Sequence, residues 1–343
     1  MADLPIDAPD GTGHTPPRPK LAASTLHKLS ALATLCLLVA AFSFGSPAFL
    51  SVNNGLTVLL QTAIIGLLGI GMTLVIITGG IDLSVGSVLA LSGTVTGLAV
   101  KAGVPVVPAM ALGVAAGAAC GAFNGLVITK LRITPFVATL GMMLIARGLA
   151  LQLTGAAPIS RLGDAFGVLG NGALFRVVEM QPNGFPKVIF PGIPYPAILL
   201  AVVAILAAIL LNVRPLGRHI VATGSNEEAA RLSGVRTDRT KIAAYTLSGA
   251  LAGLSGIVLM SRLVTVQPNE GVMYELDAIA AAVIGGASLM GGVGNISGTM
   301  IGAFIIGVLR NGLNMAGVSS FIQQIVIGFV VIGAVYVDQI RRK

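Results

Sequence analysis

The chain has 343 residues, 55% of them apolar and only 10% charged, with 45 Gly, no Trp and a formal charge of +8; its mean hydropathy is +0.93. A soluble domain carries about a quarter charged residues, so this composition argues against a soluble enzyme or a nucleic-acid binder, and Cys36 and Cys120 lie in apolar stretches where thiols simply pack. The apolar residues suffice for roughly nine or ten helices of about 20 residues each. The expected class is all-α: a polytopic integral membrane protein with about ten transmembrane helices, some interrupted by Gly-rich stretches.

Residues 1–28 are polar, carry Pro5, Pro9, Pro16, Pro17 and Pro19, and read as a disordered tail, too long and too acidic for the start of a signal peptide. A single transmembrane domain is expected over 29–340, followed by a short C-terminus at 341–343. The spans are placed at 29–44, 56–78, 85–100, 106–128, 133–154, 197–212, 242–260, 276–290, 296–314 and 320–337.

With the N-terminus inside, the inner segments hold fourteen of the 21 Lys and Arg residues. This positive-inside bias predicts a multi-pass protein with both termini in the cytoplasm. Two connections are long. The outer one, 155–196, is rich in Gly and Pro, contains Phe166, Phe175, Phe185 and Phe190, and is expected to fold over the external mouth. The inner one, 213–241, is the most densely charged stretch, which would suit either a solvated basic loop or a docking element.

Within that inner loop a short helix is expected over Ser225, Asn226, Glu227, Glu228, Ala229, Ala230, Arg231 and Leu232. Ser225 reads as its N-cap, Glu228 as the partner in a capping box and Gly234 as its stop. About two helical turns are marginal alone, so another surface must help to hold them.

The stretch from Ile77 through Gly79, Gly80, Asp82 and Ser84 echoes the one from Ile284 through Gly285 and Gly286. Paired interruptions in two halves point to a transport pathway, whereas Gly at four-residue spacing, as in Gly113, Gly117 and Gly121 or Gly298 and Gly302, serves close helix packing. Asp82, placed at a membrane boundary, could cap the helix starting near Ser84, bind solute hydroxyls or couple protons. Asp277, at the outer start of its span, invites the same capping explanation. Arg147 and Arg310 could snorkel to the headgroups or border an external vestibule. Asn124, Asn311, Asn314 and Gln323 suit interhelical hydrogen bonds first and pathway lining second. No His or Cys spacing suits a metal.

Glu228-Ala229-Ala230 with Gly234 resembles the signature by which permeases of ATP-binding-cassette (ABC) importers present a coupling helix to their ATPase. The later Ile and Leu-Pro positions of that signature are not kept. Gly79-Gly80-Ile81-Asp82-Leu83-Ser84-Val85-Gly86-Ser87, Thr134-Pro135-Phe136-Val137-Ala138-Thr139-Leu140-Gly141, Ile145-Ala146-Arg147-Gly148, and Ala282-Val283-Ile284-Gly285-Gly286 through Gly298-Thr299 resemble the ribose-type sugar permeases of ABC importers, relatives of the branched-chain amino-acid permeases. The resemblance spans about residues 30–340. It implies a bacterial inner-membrane permease that forms the solute pathway with a second copy of itself, amid membrane lipid. A cytoplasmic sugar-type ATPase and a periplasmic binding protein delivering a monosaccharide or polyol would be its partners.

The chain lacks a Gly-x-x-x-x-Gly-Lys-Ser/Thr phosphate loop, so no cofactor is expected on it, and ATP and Mg belong on the partner ATPase. The rival expectation is a secondary transporter driven by an ion gradient, with Asp82 as its acid. Few other ionisable groups fall in the spans to relay a proton.

Overall fold

The computed structural model describes residues 20–181 and 186–340. Its helices are α1 (Lys20–Gly45), α2 (Val52–Ile77), α3 (Val85–Lys101), α4 (Val106–Lys130), α5 (Pro135–Thr154), α6 (Asp164–Asn171), α7 (Tyr195–Asn212), α8 (Pro215–Ser225), α9 (Glu227–Leu232), α10 (Thr237–Leu263), α11 (Tyr274–Ile284), α12 (Ile296–Met315) and α13 (Ser320–Ile340). A chain surrounded by lipid must satisfy its backbone polar groups internally, and helices do so within one segment. Each apolar run in the sequence accordingly lies in a helix. Among the described residues, six could cross a membrane by length and composition, namely α2, α4, α5, α7, α10 and α12, while Leu29–Gly45, α3 and Ser320–Gly333 are shorter apolar helices.

One expectation is corrected, and the 155–196 connection carries structure that the sequence did not specify. The first helix starts at Lys20, so 20–28 is helical rather than a disordered tail; residues 1–19 and 341–343 lie outside the described residues. The 155–196 connection is not purely irregular or helical: beside α6 it carries β1 (Ala173–Leu174), β2 (Val177–Met180), β3 (Pro186–Phe190) and β4 (Ile193–Pro194), with β1 antiparallel to β4 and β2 to β3. Its Pro and Gly residues break helices, and strand pairing gives the backbone groups partners that a lone extended segment would lack. Phe166 is buried and Phe175 is exposed, whereas Phe185 lies outside the described residues.

At the centre is α2, almost wholly buried from Thr62 to Ile77, and α10 packs antiparallel along it, with the Ser255 hydroxyl donating to the Ile64 carbonyl at 2.9 Å. Small residues let the helices around this pair approach closely. A methyl group at Gly117 or Gly121 of α4 would strike the Gly249 or Tyr245 carbonyl of α10, and one at Gly298 or Gly302 of α12 the Gly285 or Ala281 carbonyl of α11. The packing reading of these spaced glycines holds. Cys120 packs against the core, but Cys36 is exposed on α1.

One end of the bundle carries the 213–236 connection and the other the 155–194 connection. Two breaks shorten helices inside it. The first, 78–84, separates α2 from α3. The second, 285–295, separates α11 from α12, so α11 has only 11 residues and rises about 16 Å, roughly half the hydrocarbon thickness of a bilayer. The span expected to run to residue 290 stops at Ile284 because Gly285 lies against the Gly298 backbone and Gly286 turns the chain at φ +91°.

Candidate functional site

The two breaks are built alike. Gly79 (φ +82°) and Gly286 (φ +91°) each take the left-handed conformation just past a helix end. In the first, Gly79 N–H donates to the Ile76 carbonyl and Gly80 N–H to Val75; in the second, Gly286 N–H donates to Val283 and Ala287 N–H to Ala282. This double bond pattern around a left-handed Gly is the Schellman stop, which satisfies carbonyls that the helix leaves unpaired. The sequence echo is thus a repeated backbone device.

The breaks also touch. The Gly292 N–H donates to the Ile77 carbonyl at 2.8 Å. Gly224, in the last turn of α8, lies so close that an added Cβ would strike the same Ile77 carbonyl and crowd the Gly292 nitrogen. Three backbones meet at this point, and no side chain fits between them.

From that junction the chain runs directly into α9. Its N-cap is Asn226, whose Oδ1 accepts from Ala229 N–H at 2.9 Å. The sequence-based cap at Ser225 is corrected: Ser225 closes α8, its hydroxyl donating to the Val221 carbonyl at 2.9 Å, so Glu228 falls one position short of a capping box. Both residues can cap, but only Asn226 takes the extended conformation that a cap requires. Gly234 (φ +85°) does end the turn, with its N–H on Arg231 and the Val235 N–H on Ala230.

Ala230 is the buried face of α9. Glu227 ties α9 to α10 through Lys241 at 2.6 Å and receives Arg231 at 3.5 Å, while Lys130 at the end of α4 reaches Asp238 at 3.4 Å. Glu228, Ala229, Arg231 and Leu232 remain exposed, Leu232 at 85%. A two-turn helix is thereby anchored on one side and bare on the other.

Asp82 lies deep in the bundle. Its Oδ2 accepts from the Ser248 hydroxyl at 2.9 Å, and Ser248 is near the middle of α10. After Ile77 the chain turns back into the bundle before α3 begins, which leaves Asp82 1% exposed. Asp82 Oδ1 accepts from Ser84 N–H at 3.0 Å and the Ser84 hydroxyl at 2.6 Å, so a capping interaction is present alongside a bond to another helix. Asn124 Nδ2 donates to Ser84 Oγ at 3.0 Å. The Tyr245 hydroxyl and Asn124 Oδ1 are buried without a hydrogen-bond partner among the described residues. Pro135 opens α5 after Thr134, which is exposed and makes no side-chain cap, and the Thr139 hydroxyl donates to the Ile81 carbonyl at 3.2 Å.

Toward the 155–194 end, Arg310 meets Asp277 through Nη2, at 2.9 and 2.7 Å to the two carboxylate oxygens. Asp277 makes no side-chain cap on α11; its carboxylate pairs with Arg310 beside Gln61, Ile64 and Ile65 of α2. Arg310, Asn314 and Gln323 line one cavity with Gln61, Arg262 and Tyr274. Asn311 is buried outside that lining, its Oδ1 unpartnered among the described residues. Arg147 does not reach outward; its Nη1 donates to the Pro268 and Glu270 carbonyls at 2.6 and 2.8 Å, holding the connection that leads to α11.

Sequence reasoning missed Gln61, Tyr274, Gly224 and Tyr245. Gln61 carried a signal, as a lone amide inside an apolar span. Among the described residues no group of His, Cys, Asp or Glu is placed to hold a metal ion.

The family described as "Branched-chain amino acid transport system / permease component" matches residues 54–335. The chain is 46% identical to the ribose import permease protein of Bacillus subtilis over 314 residues, 92% of this chain and 93% of that protein. It is 38% identical to the D-allose transport system permease protein of Escherichia coli over 311 residues, 90% of each. Identity to the xylose transport system permease protein of Haemophilus influenzae is 34% over 371 residues, 94% of this chain and 99% of that protein. No solved structure matches the chain.

Proposed function

The chain belongs to the permease-component family of ABC importers, and from that premise we propose that it is the membrane subunit of a sugar importer, carrying a monosaccharide or related polyol inward. The observation that carries this reading is the full-length identity to ribose, allose and xylose permeases. The subunit is not itself an enzyme: ATP, with Mg, is hydrolysed on a separate subunit.

In the full reading the six long apolar helices, α1, α3, α13 and the short α11 lie in a bacterial inner membrane, with the 213–236 end and both termini in the cytoplasm. Two copies of the chain surround the solute path amid lipid. A sugar-type ATPase docks below and a periplasmic binding protein delivers solute above, at the end that carries the 155–194 connection.

Ser225 to Leu232, closed by Gly234, couples the ATPase to the bundle. What supports this is position: the exposed face of α9 is one residue away from α8, and α8 ends against the Ile77 carbonyl and Gly292. A push on α9 therefore reaches both breaks through backbone contacts, with no flexible side chain to absorb it. Gly79, Gly80, Asp82, Ser84, Asn124, Thr134 and Pro135 lie around the first break and would shift with it. Arg147, Arg310, Asn311, Asn314 and Gln323 belong to the half that receives solute.

Detergent extraction from native membranes, mass spectrometry of co-purifying chains and an ATPase assay on the eluate test the proposal. A sugar-type ATPase with vanadate-sensitive activity is expected. A lone, ATP-inert chain from repeated gentle preparations would instead favour an ion-driven carrier.

A further inference from the structure

Because α11 starts only at Tyr274, beyond a connection that Arg147 draws inward, the bundle lacks helix where a full-length span would continue. The space left there is a cavity of about 260 Å³ between α2, α10, α12 and the start of α13. Ligand pockets for drug-sized molecules run from about 300 to 1,000 Å³, so this volume suits a single sugar ring rather than a disaccharide.

Its polar groups are unspent. The side-chain amides of Gln61 and Asn314 and the hydroxyl of Tyr274 line the cavity, and none of them makes a hydrogen bond among the described residues. Arg310 is held in place by the buried carboxylate of Asp277, 1% exposed, through Nη2 alone; its side chain is 30% exposed, and its Nη1 makes no hydrogen bond among the described residues. A guanidinium N–H that no protein group occupies is a donor open to a bound acceptor. Ile65 and Leu259 supply an apolar wall.

Amides that both donate and accept, a fixed donor and an apolar wall form the chemistry that a polyhydroxylated ring needs for its hydroxyls and C–H face. Asp277 already neutralises Arg310, while Arg262 in the same lining has no salt bridge among the described residues, so the gluconate arm of the test below separates a neutral solute from an anion. We propose that this cavity is a binding subsite for a neutral polyhydroxylated solute of monosaccharide size, with Gln61 and Asn314 as the hydroxyl partners and Arg310 as the fixed donor. The inference rests on the permease reading above and adds the place within one protomer where solute pauses.

The test uses the full chain in lipid nanodiscs with Cys36→Ser, Cys120→Ser and Ile64→Cys, which leaves a single thiol in the cavity wall at a lining position that is neither a hydroxyl partner nor the fixed donor. The rate at which a small polar thiol reagent modifies that introduced thiol is measured with and without millimolar D-ribose, D-xylose, D-allose or D-gluconate. At least one neutral sugar is expected to slow modification several-fold. Adding Gln61→Leu should raise the half-protecting concentration about tenfold, the equivalent of one lost hydrogen bond, with protection in each variant read against its own sugar-free rate.

Equal rates with every neutral sugar, protection by gluconate alone, or an introduced thiol that the reagent never reaches would overturn the proposal. ATP-driven uptake of the same sugars by the complete transporter is scored separately. Uptake without protection rejects the cavity and leaves the importer reading intact; protection without uptake does the reverse.

Discussion

The amide of Gly292 donates to the carbonyl of Ile77 at 2.8 Å, which joins the break after α2 to the break after α11 by a backbone bond. Gly224 covers it from the side of α8, so displacement of the 213–236 connection cannot spare either break.

Gly224→Ala should therefore destabilise the protein even though α8 itself would accept Ala. The added methyl meets backbone and not a yielding side chain, and overpacking of this kind costs about 1–3 kcal/mol. Thermal unfolding in detergent should show a lower midpoint. Gly234→Ala, strained by its φ of +85° but with open space around it, should cost less. The reverse order would mean that the α8 contact relaxes easily.

Glu228→Arg is expected to leave folding and insertion unchanged, because Glu228 is exposed and makes no side-chain bond among the described residues. ATP-driven uptake should drop at least several-fold. Uptake at the wild-type rate would remove α9 as the coupling element.

Asn226→Ala should weaken the same element through structure. Loss of the Ala229 N–H acceptor costs about 1 kcal/mol for a typical cap, which matters in a six-residue helix. Hydrogen exchange at Ala229 and Ala230 should accelerate, and Asn226→Asp should restore slow exchange.

Asp82→Ala leaves the Ser84 amide, the Ser84 hydroxyl and the Ser248 hydroxyl without their acceptor, at about 1–3 kcal/mol for each buried group that stays unsatisfied. Asp82→Asn keeps an acceptor oxygen and should lose far less stability. A stable Asp82→Asn protein that is dead for transport would point to proton coupling or direct solute chemistry.

Arg310→Met strands the Asp277 carboxylate in the bundle, and breaking a buried pair from one side costs about 3–5 kcal/mol. Adding Asp277→Leu should recover much of the loss in thermal midpoint while transport stays impaired. Recovery of transport along with stability would show that the pair only holds the helices together.

Much of this was legible in the sequence, and the misses have physical causes. Long apolar runs locate helices because lipid leaves the backbone no other choice, and Gly234 marks a stop because only a residue without Cβ sits easily at positive φ. Depth was not legible. Hydropathy reads Asp82 as the polar edge of α2, but the chain re-enters the bundle and carries that edge inward to Ser248. The capping error between Ser225 and Asn226 arose because adjacent residues had equal capping chemistry and only backbone conformation chose between them. The Arg310–Asp277 pair joins residues 33 apart, a separation at which local pattern is silent.

The shortness of α11 also bears on how the protein is made. Insertion into a bilayer is decided on a window of about 19 apolar residues, and α11 offers 11 with Glu275 and Asp277 in its first turn. While the nascent chain ends before α12, this segment has neither the length to stay in lipid nor a cation for its carboxylate. Biogenesis should hold it back until Arg310 emerges, so that α11 and α12 enter together as a hairpin. Glycosylation-site mapping of chains truncated at residue 295 and at residue 320 would reveal that late commitment, with α11 translocated or left outside in the first and membrane-integrated in the second.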